Sequence, residues 1–222
     1  LMRSVTFRST SEHPTGGGTT RSIQWRLTDA NGTGAGAANG TDNTSITITP
    51  LNDGPTATIT PTSFPVTERT NFNLHGQGLS VADVDAGTND VVATLSTTVG
   101  IITVVEGNSG VVVTDSATAS VTLTGTITEI NNLLDDTSTG TIVYNANLDN
   151  PAATATLTLS IDDGGNTGGG ALSNQDTATL NITRTNDAPT ATITPTNYDV
   201  VEQTNFTLHG TGLSVADVDA DV

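Results

Sequence analysis

Aspartate recurs along this 222-residue chain in a few fixed patterns whose side chains are hard oxygen donors. Asp83-x-Asp85 and Asp217-x-Asp219 each follow an apolar, alternating stretch. Asn52-Asp53 and Asn186-Asp187 each lead, after one further residue, into a proline. Asp162-Asp163 closes another alternating stretch, with Asp29 as the upstream counterpart of Asp163, and Glu68 and Glu202 add one carboxylate apiece. Calcium takes roughly six to eight oxygens at about 2.3–2.6 Å, from carboxylates, amide and backbone carbonyls and water. In extended backbone, residues i and i+2 point to one side, so both carboxylates of Asp-x-Asp can face a single ion. Gathered carboxylates lacking a cation repel one another. Each motif alone also fits a solvated turn, since Asp and Asn favour turns. Their joint recurrence in one register points to divalent-cation binding.

That register is set by an internal repeat. Asn52–Asp85 reappears at Asn186–Asp219 without a gap, each pair 134 positions apart. The same offset lays Asp42–Thr49 on Asp176–Thr183, Thr28 on Asp162 and Asp29 on Asp163. A long fixed period marks tandem domains rather than turns of a solenoid. The expected organisation is the C-terminal part of one repeat over 1–50, a complete repeat over 51–184 and the start of another over 185–222. The two end segments then lack most of a core, to be supplied by further repeats or by neighbouring molecules.

Composition narrows the function classes. The formal charge is −17, from 18 Asp and 5 Glu against six arginines and no lysine. Such a surface repels nucleic acid and anionic membranes. Cysteine is absent, which removes disulfides, thiolate metal sites and cysteine nucleophiles. No apolar run reaches membrane-spanning length. Neither a Ser-His-Asp arrangement nor a phosphate loop is present, and no enzymatic activity is expected.

Positioning the carboxylates falls to strands. Threonine, about a fifth of the chain, alternates with Val, Ile, Leu and Ala in Thr56–Thr60, Ser120–Thr124 and Ala153–Leu159. Period-two alternation of this kind makes half-buried strands, and β-branching suits the pleat. Further strands are expected over Asn71–Leu74, Val91–Ser96, Ile101–Val105, Val111–Thr114, Thr141–Asn145 and Thr177–Thr183. Turn sequences such as Glu106–Gly110 and Asp163–Asn166 separate them. The expected fold is all-β: tandem Greek-key β-sandwiches, cadherin- or Ig-like. A short helical turn near 128–135 interrupts it, with Thr128 as N-cap and Ile130, Leu133 and Leu134 facing the core. Phe72, Phe206 and Trp25 are expected to pack, Trp25 because it aligns with the inward position Leu159. His75 and His209 precede Gly-x-Gly turns and are expected to be structural; His13 lies in a Gly/Pro/Thr-rich loop.

The Asn-Asp-x-Pro linkers, the glutamate, Leu79–Gly87 (LSVADVDAG), Thr122–Leu134 (TLTGTITEINNLL) and Ile161–Asn166 (IDDGGN) resemble the cadherin-like tandem repeats of giant bacterial surface adhesins. These are the RTX-type and biofilm-associated proteins exported by type I secretion. The resemblance spans essentially the whole chain and implies calcium at the domain junctions. Carried over, it implies ligands Asp29, Asn52, Asp53, Glu68, Asp83 and Asp85 at the first junction. At the second it implies Asp162, Asp163, Asn186, Asp187, Glu202, Asp217 and Asp219. The linkers lack the longer acidic run of animal cadherins, implying fewer ions per junction. The implied function is a calcium-stiffened adhesive module of an extracellular surface protein, working in cell adhesion or biofilm attachment. Its partners would be neighbouring repeats. Two alternatives stand beside it: a carbohydrate-binding module engaging a surface glycan, and a self-assembling filament or surface-layer subunit joined through the incomplete ends.

Overall fold

The computed structural model describes residues 5–11, 18–28 and 39–220. His13 and Asp29 lie outside the described residues. A hairpin of β1 (Thr20–Thr28) and β2 (Asn39–Thr47) comes first. The complete repeat holds β3 (Thr56–Ile59), β4 (Ser63–Thr67), β5 (Phe72–Asn73), β6 (Leu79–Ala82), β7 (Val91–Thr97), β8 (Ile101–Val105), β9 (Val112–Thr114) and β10 (Ser120–Gly125). Helix α1 (Ile127–Leu134), β11 (Thr141–Asn145), β12 (Thr154–Asp162) and β13 (Ser173–Thr183) complete it. A second short hairpin, β14 (Thr190–Ile193) with β15 (Leu213–Ala216), follows.

The segment expected to be a complete repeat, residues 51–184, is a β-sandwich. One layer is a six-stranded sheet ordered β4-β13-β12-β7-β10-β9, antiparallel except for the parallel pair β4–β13. Opposite it lie the three-stranded sheet β5-β11-β8 and the pair β3–β6. The alternation read from the sequence decides which side chains go inside. Ala93, Leu95, Val121, Leu123, Leu157, Leu159 and Leu180 point inward from the large sheet. They meet Ile59, Val81, Ile102, Ile142 and Tyr144 from the other layer in one core. The intervening Thr94, Thr122 and Thr158 are half-buried on the outer face. Two strands depart from the expected bounds: β13 begins upstream at Ser173, and β5 shrinks to Phe72–Asn73.

Helix α1 crosses between the layers. Its N-cap is Thr126, not Thr128: the Thr126 hydroxyl accepts from the Glu129 amide, and the Glu129 carboxylate accepts from the Thr126 amide. This is a reciprocal capping box, and the Thr126 bonds hold the Glu129 carboxyl below its usual range. Ile130, Leu133 and Leu134 are buried as expected. Asn131 closes the open side of β6, its amide group donating to Val81 O at 2.8 Å and accepting from Val81 N at 2.9 Å. A side chain thereby supplies what a neighbouring strand otherwise would.

Repeat equivalence extends to register. Thr20↔Thr47 and Thr154↔Asn181 are equivalent pairings, as are Thr56↔Ala82 and Thr190↔Ala216. Trp25 is 41% exposed, whereas its equivalent Leu159 is fully buried. The expectation that Trp25 packs inward does not hold among the described residues, because no facing layer covers β1.

Candidate metal centres

The two ends of the complete sandwich gather carboxylates differently. At the proximal end, β6 runs out into Asp83–Asp85 and β12 into Asp162–Asp163, while Asn52–Asp53 leads into β3. Asp163 is 1% exposed, and its Oδ1 accepts from the amides of Gly165 and Leu172, both at 2.8 Å. Its Oδ2 accepts from Asn52 Nδ2 at 2.7 Å. Burial pushes the Asp163 carboxyl up, but these donors outweigh it and hold it below the usual carboxylate range. Asp85, 2% exposed, accepts from Asp53 N at 3.2 Å, and Asp83 Oδ1 accepts from the amides of Asp85 and Ala86. Burial first, and then the neighbouring Asp83, raise the Asp85 carboxyl. Asp162 is exposed and caps Gly164 N at 2.8 Å.

A glycine-rich loop wraps the linker here. Asn52 Nδ2 also donates to Gly170 O at 3.1 Å, and the Thr167 hydroxyl donates to Asp85 O at 2.8 Å. Gly168 has φ +65, and a Cβ there would fall 2.3 Å from Pro50 O. Only glycine lets the loop approach the linker backbone this closely. The sequence marked this loop as a turn and gave no sign that it holds the linker.

Glu68 is at the other end. The parallel pairing sets Thr67 opposite Thr183, and Glu68 N donates to Thr183 O at 3.0 Å. The eleven-residue strand β13 separates this end from Asp163, about 33 Å at the usual rise. Glu68 therefore does not join Asn52, Asp53, Asp83 and Asp85, as the resemblance implied; it faces the following linker. Its Oε1 accepts from Thr185 N at 2.9 Å and Thr185 Oγ1 at 2.6 Å. Conversely, Asp163 belongs to the proximal end with Asn52, not to the second junction. Among the described residues no strand forms at the β4 equivalent that would carry Glu202, and no hydrogen bond or ion pair joins its side chain to Asp217 or Asp219. At the distal end Asp187 N donates to Asp219 Oδ2 at 3.0 Å and Asp219 N to Asp217 Oδ1 at 3.3 Å, reproducing the Asp53–Asp85–Asp83 arrangement. Asn186 departs from Asn52: its Nδ2 donates to Asp187 O at 3.0 Å. The hydrogen bond between Asp217 and Asp219 raises the first carboxyl and lowers the second, so the two titrate as a pair.

Two groups absent from the expected set complete the distal end. The Arg69 guanidinium bridges Asp149 Oδ1 at 2.8 Å and Asp187 Oδ1 at 2.5 Å. Sequence offered no signal for this contact, because Arg69 and Asp149 stand 80 residues apart.

Among the described residues no three His, Asp or Glu side chains converge closely enough to hold an ion as they stand. The donor chemistry nevertheless fits one. Among the described residues four buried side-chain atoms have no hydrogen-bond partner: Glu68 Oε2, Asp83 Oδ2, Asp187 Oδ2 and His75 Nε2. Three are carboxylate oxygens from the expected ligand set, and they stand at the sandwich ends where linkers join. Buried anionic oxygens without donors are costly unless a cation satisfies them. His75 is buried with its Nδ1 3.1 Å from Asp136 Oδ1, a contact within the fold.

The chain is similar to solved cadherin structures, among them three of protocadherins. One is the protocadherin gamma B4 extracellular domain, at 18% identity and TM-score 0.37, covering 82% of this chain and 24% of that one. A second is the protocadherin gamma B7 EC3-6 cis-dimer, at 14% identity and TM-score 0.37, covering 80% and 37%. The third is protocadherin gamma B2 extracellular cadherin domains 3-6, at 15% and 0.36, covering 82% and 37%. The chain thus spans well under half the length of each. No protein-family profile matches the sequence, and no curated protein matches it. No helix among the described residues is long and apolar enough to cross a membrane.

Proposed function

We propose that this chain is a calcium-stiffened repeat module of an extracellular adhesive protein, in which ions at both ends of each sandwich fix the linkers. The observation that carries this reading is the set of orphaned carboxylate oxygens on Glu68, Asp83 and Asp187, buried where the linkers meet the sandwich. Asn52, Asp53, Asp83, Asp85 and Asp163 would hold an ion at the proximal end. Glu68, Asn186, Asp187, Asp217 and Asp219 would do so at the distal end. Calcium supplies a divalent charge that several oxygens share, which turns mutual repulsion into cross-linking between linker and domain. Bacterial surface attachment is the finer form of this reading and rests on the motif resemblance.

The test compares the chain in calcium and in chelator by thermal unfolding and small-angle scattering. With Kd on the order of 10⁻⁴ to 10⁻³ M, as for extracellular modules, 10 mM calcium stabilises by roughly 1.4–2.7 kcal/mol per site. Unchanged melting temperature and scattering profile would falsify the proposal. A second reading is homotypic assembly, in which another copy covers Ile193, Phe206, Leu208, Leu213 and Val215, the equivalents of the core and partly buried positions Ile59, Phe72, Leu74, Leu79 and Val81. Monomeric sedimentation at every concentration counts against it. No comparable observation favours a glycan site, since exposed Trp25 has a fully buried equivalent in Leu159.

A further inference from the structure

We propose that Arg69 is a positioning residue that ties the distal linker to the sandwich, so that this junction keeps part of its order when calcium is withdrawn. The inference rests on the calcium reading for what it adds to the junction, but the tie itself is a property of the chain alone. The guanidinium forks between Asp149, in the loop before Pro151, and Asp187 in the linker. A planar fork suits two carboxylates at once, which a lysine ammonium does not reproduce. It engages Asp187 through Oδ1 and leaves Oδ2 without a protein partner. Next to Arg69 in sequence, Glu68 is 2% exposed and presents a second unpartnered oxygen, Oε2. One bound carboxylate oxygen thus serves the tie and the other stays available to an ion.

The same loop makes two further contacts: Arg184 Nε, at the start of the linker, donates to Pro151 O at 2.8 Å, and Asn150 Nδ2 donates to Val218 O, in the loop after β15, at 3.3 Å. Arg69 provides the ion pairs of the set, whereas Arg184 meets an uncharged carbonyl. In the next repeat Gln203 replaces it, at φ +60 against +52, so the backbone turn is kept while the charge is dropped. The charged arm is therefore not carried into the next repeat, where Gln203 takes its place.

The experiment is amide hydrogen exchange at Thr185 and Asp187 in chelator, on the full chain, at low and high salt. Arg69→Gln, the substitution the next repeat carries, is expected to speed exchange roughly two- to five-fold, the range for a part-exposed ion pair. Asp149→Asn removes one arm of the fork without touching a proposed calcium ligand and is expected to act in the same direction, more weakly. High salt should speed exchange in the wild type and leave Arg69→Gln unmoved, a dependence that a purely packing role lacks. Wild-type rates in both variants overturn the proposal. Faster exchange in both, in a chain that binds no calcium by calorimetry, upholds the tie and removes the calcium reading instead.

Discussion

The segment after the linker repeats the opening of the complete repeat almost residue for residue, yet the two stand in opposite surroundings. Ile59, Phe72, Leu74, Leu79 and Val81 are buried or partly buried; Ile193, Phe206, Leu208, Leu213 and Val215 are exposed. What survives this change is local. The β14–β15 ladder keeps the register of β3–β6. Gly212 keeps the left-handed turn of Gly78, where a Cβ would meet a backbone carbonyl oxygen in both copies. Tyr198 and Phe206 pack as a tilted pair with ring centroids 5.6 Å apart, as Phe64 and Phe72 do at 5.9 Å. What disappears is everything that needs a distant partner. No strand forms at the equivalents of β4 and β5, which in the complete repeat pair with β13 and β11. The hairpin is written in its own residues, whereas the sandwich edges are written a hundred residues away.

The sharpest test of that contrast is one substitution made twice. Leu79→Ala is expected to cost about 2–5 kcal/mol in denaturant unfolding, the range for emptying a buried leucine site. Leu213→Ala, at the equivalent position, should stay within about 0.5 kcal/mol; equal losses would mean that the second segment is covered in solution. Asp163→Asn comes next. It removes the charge from three hydrogen bonds at a buried site, at a cost of about 1.5–3 kcal/mol. Asn131→Ala should cost about 1–2 kcal/mol by orphaning the amide and carbonyl of Val81.

Acid supplies a graded version. Because the Asp163 carboxyl is lowered in the fold, its contribution is present above the unfolded value of about 3.9 and lost as pH falls through the folded one. Asp85 is raised and runs the other way, its contribution present in acid and lost as pH rises through its folded value. Asp85→Asn is accordingly expected to leave stability in chelator unchanged or slightly higher at pH 7, while abolishing the proximal calcium response. A loss of stability in chelator would show that Asp85 acts as a hydrogen-bonding group rather than a ligand.

Most of the architecture was legible because threonine alternation is a local signal. Val91–Thr97 and Thr154–Asp162 bury every second side chain, as the pattern demands. The carboxylates were legible as types and not as neighbours. Glu68 lies close in sequence to Asp53 and Asp83, and nothing local reveals that β4 runs parallel to β13 and carries it to the opposite end. Likewise the approach of Gly168 to Pro50 and the Arg69–Asp149 bridge depend on loops brought together by the closed sandwich. The cap at Thr126 was missed for a smaller reason: two threonines flank Ile127, and only the reach of Glu129 back to the Thr126 amide chooses between them.

The parallel pairing of β4 with β13 has a mechanical consequence. Tension arriving through the upstream linker drags β4 one way along their common axis, and tension leaving through the downstream linker drags β13 the other. The ladder from Ser63↔Thr179 to Thr67↔Thr183 is then loaded in shear, its rungs straining together rather than unzipping one at a time. Joined side by side in this orientation, the two strands act as a brace against stretching.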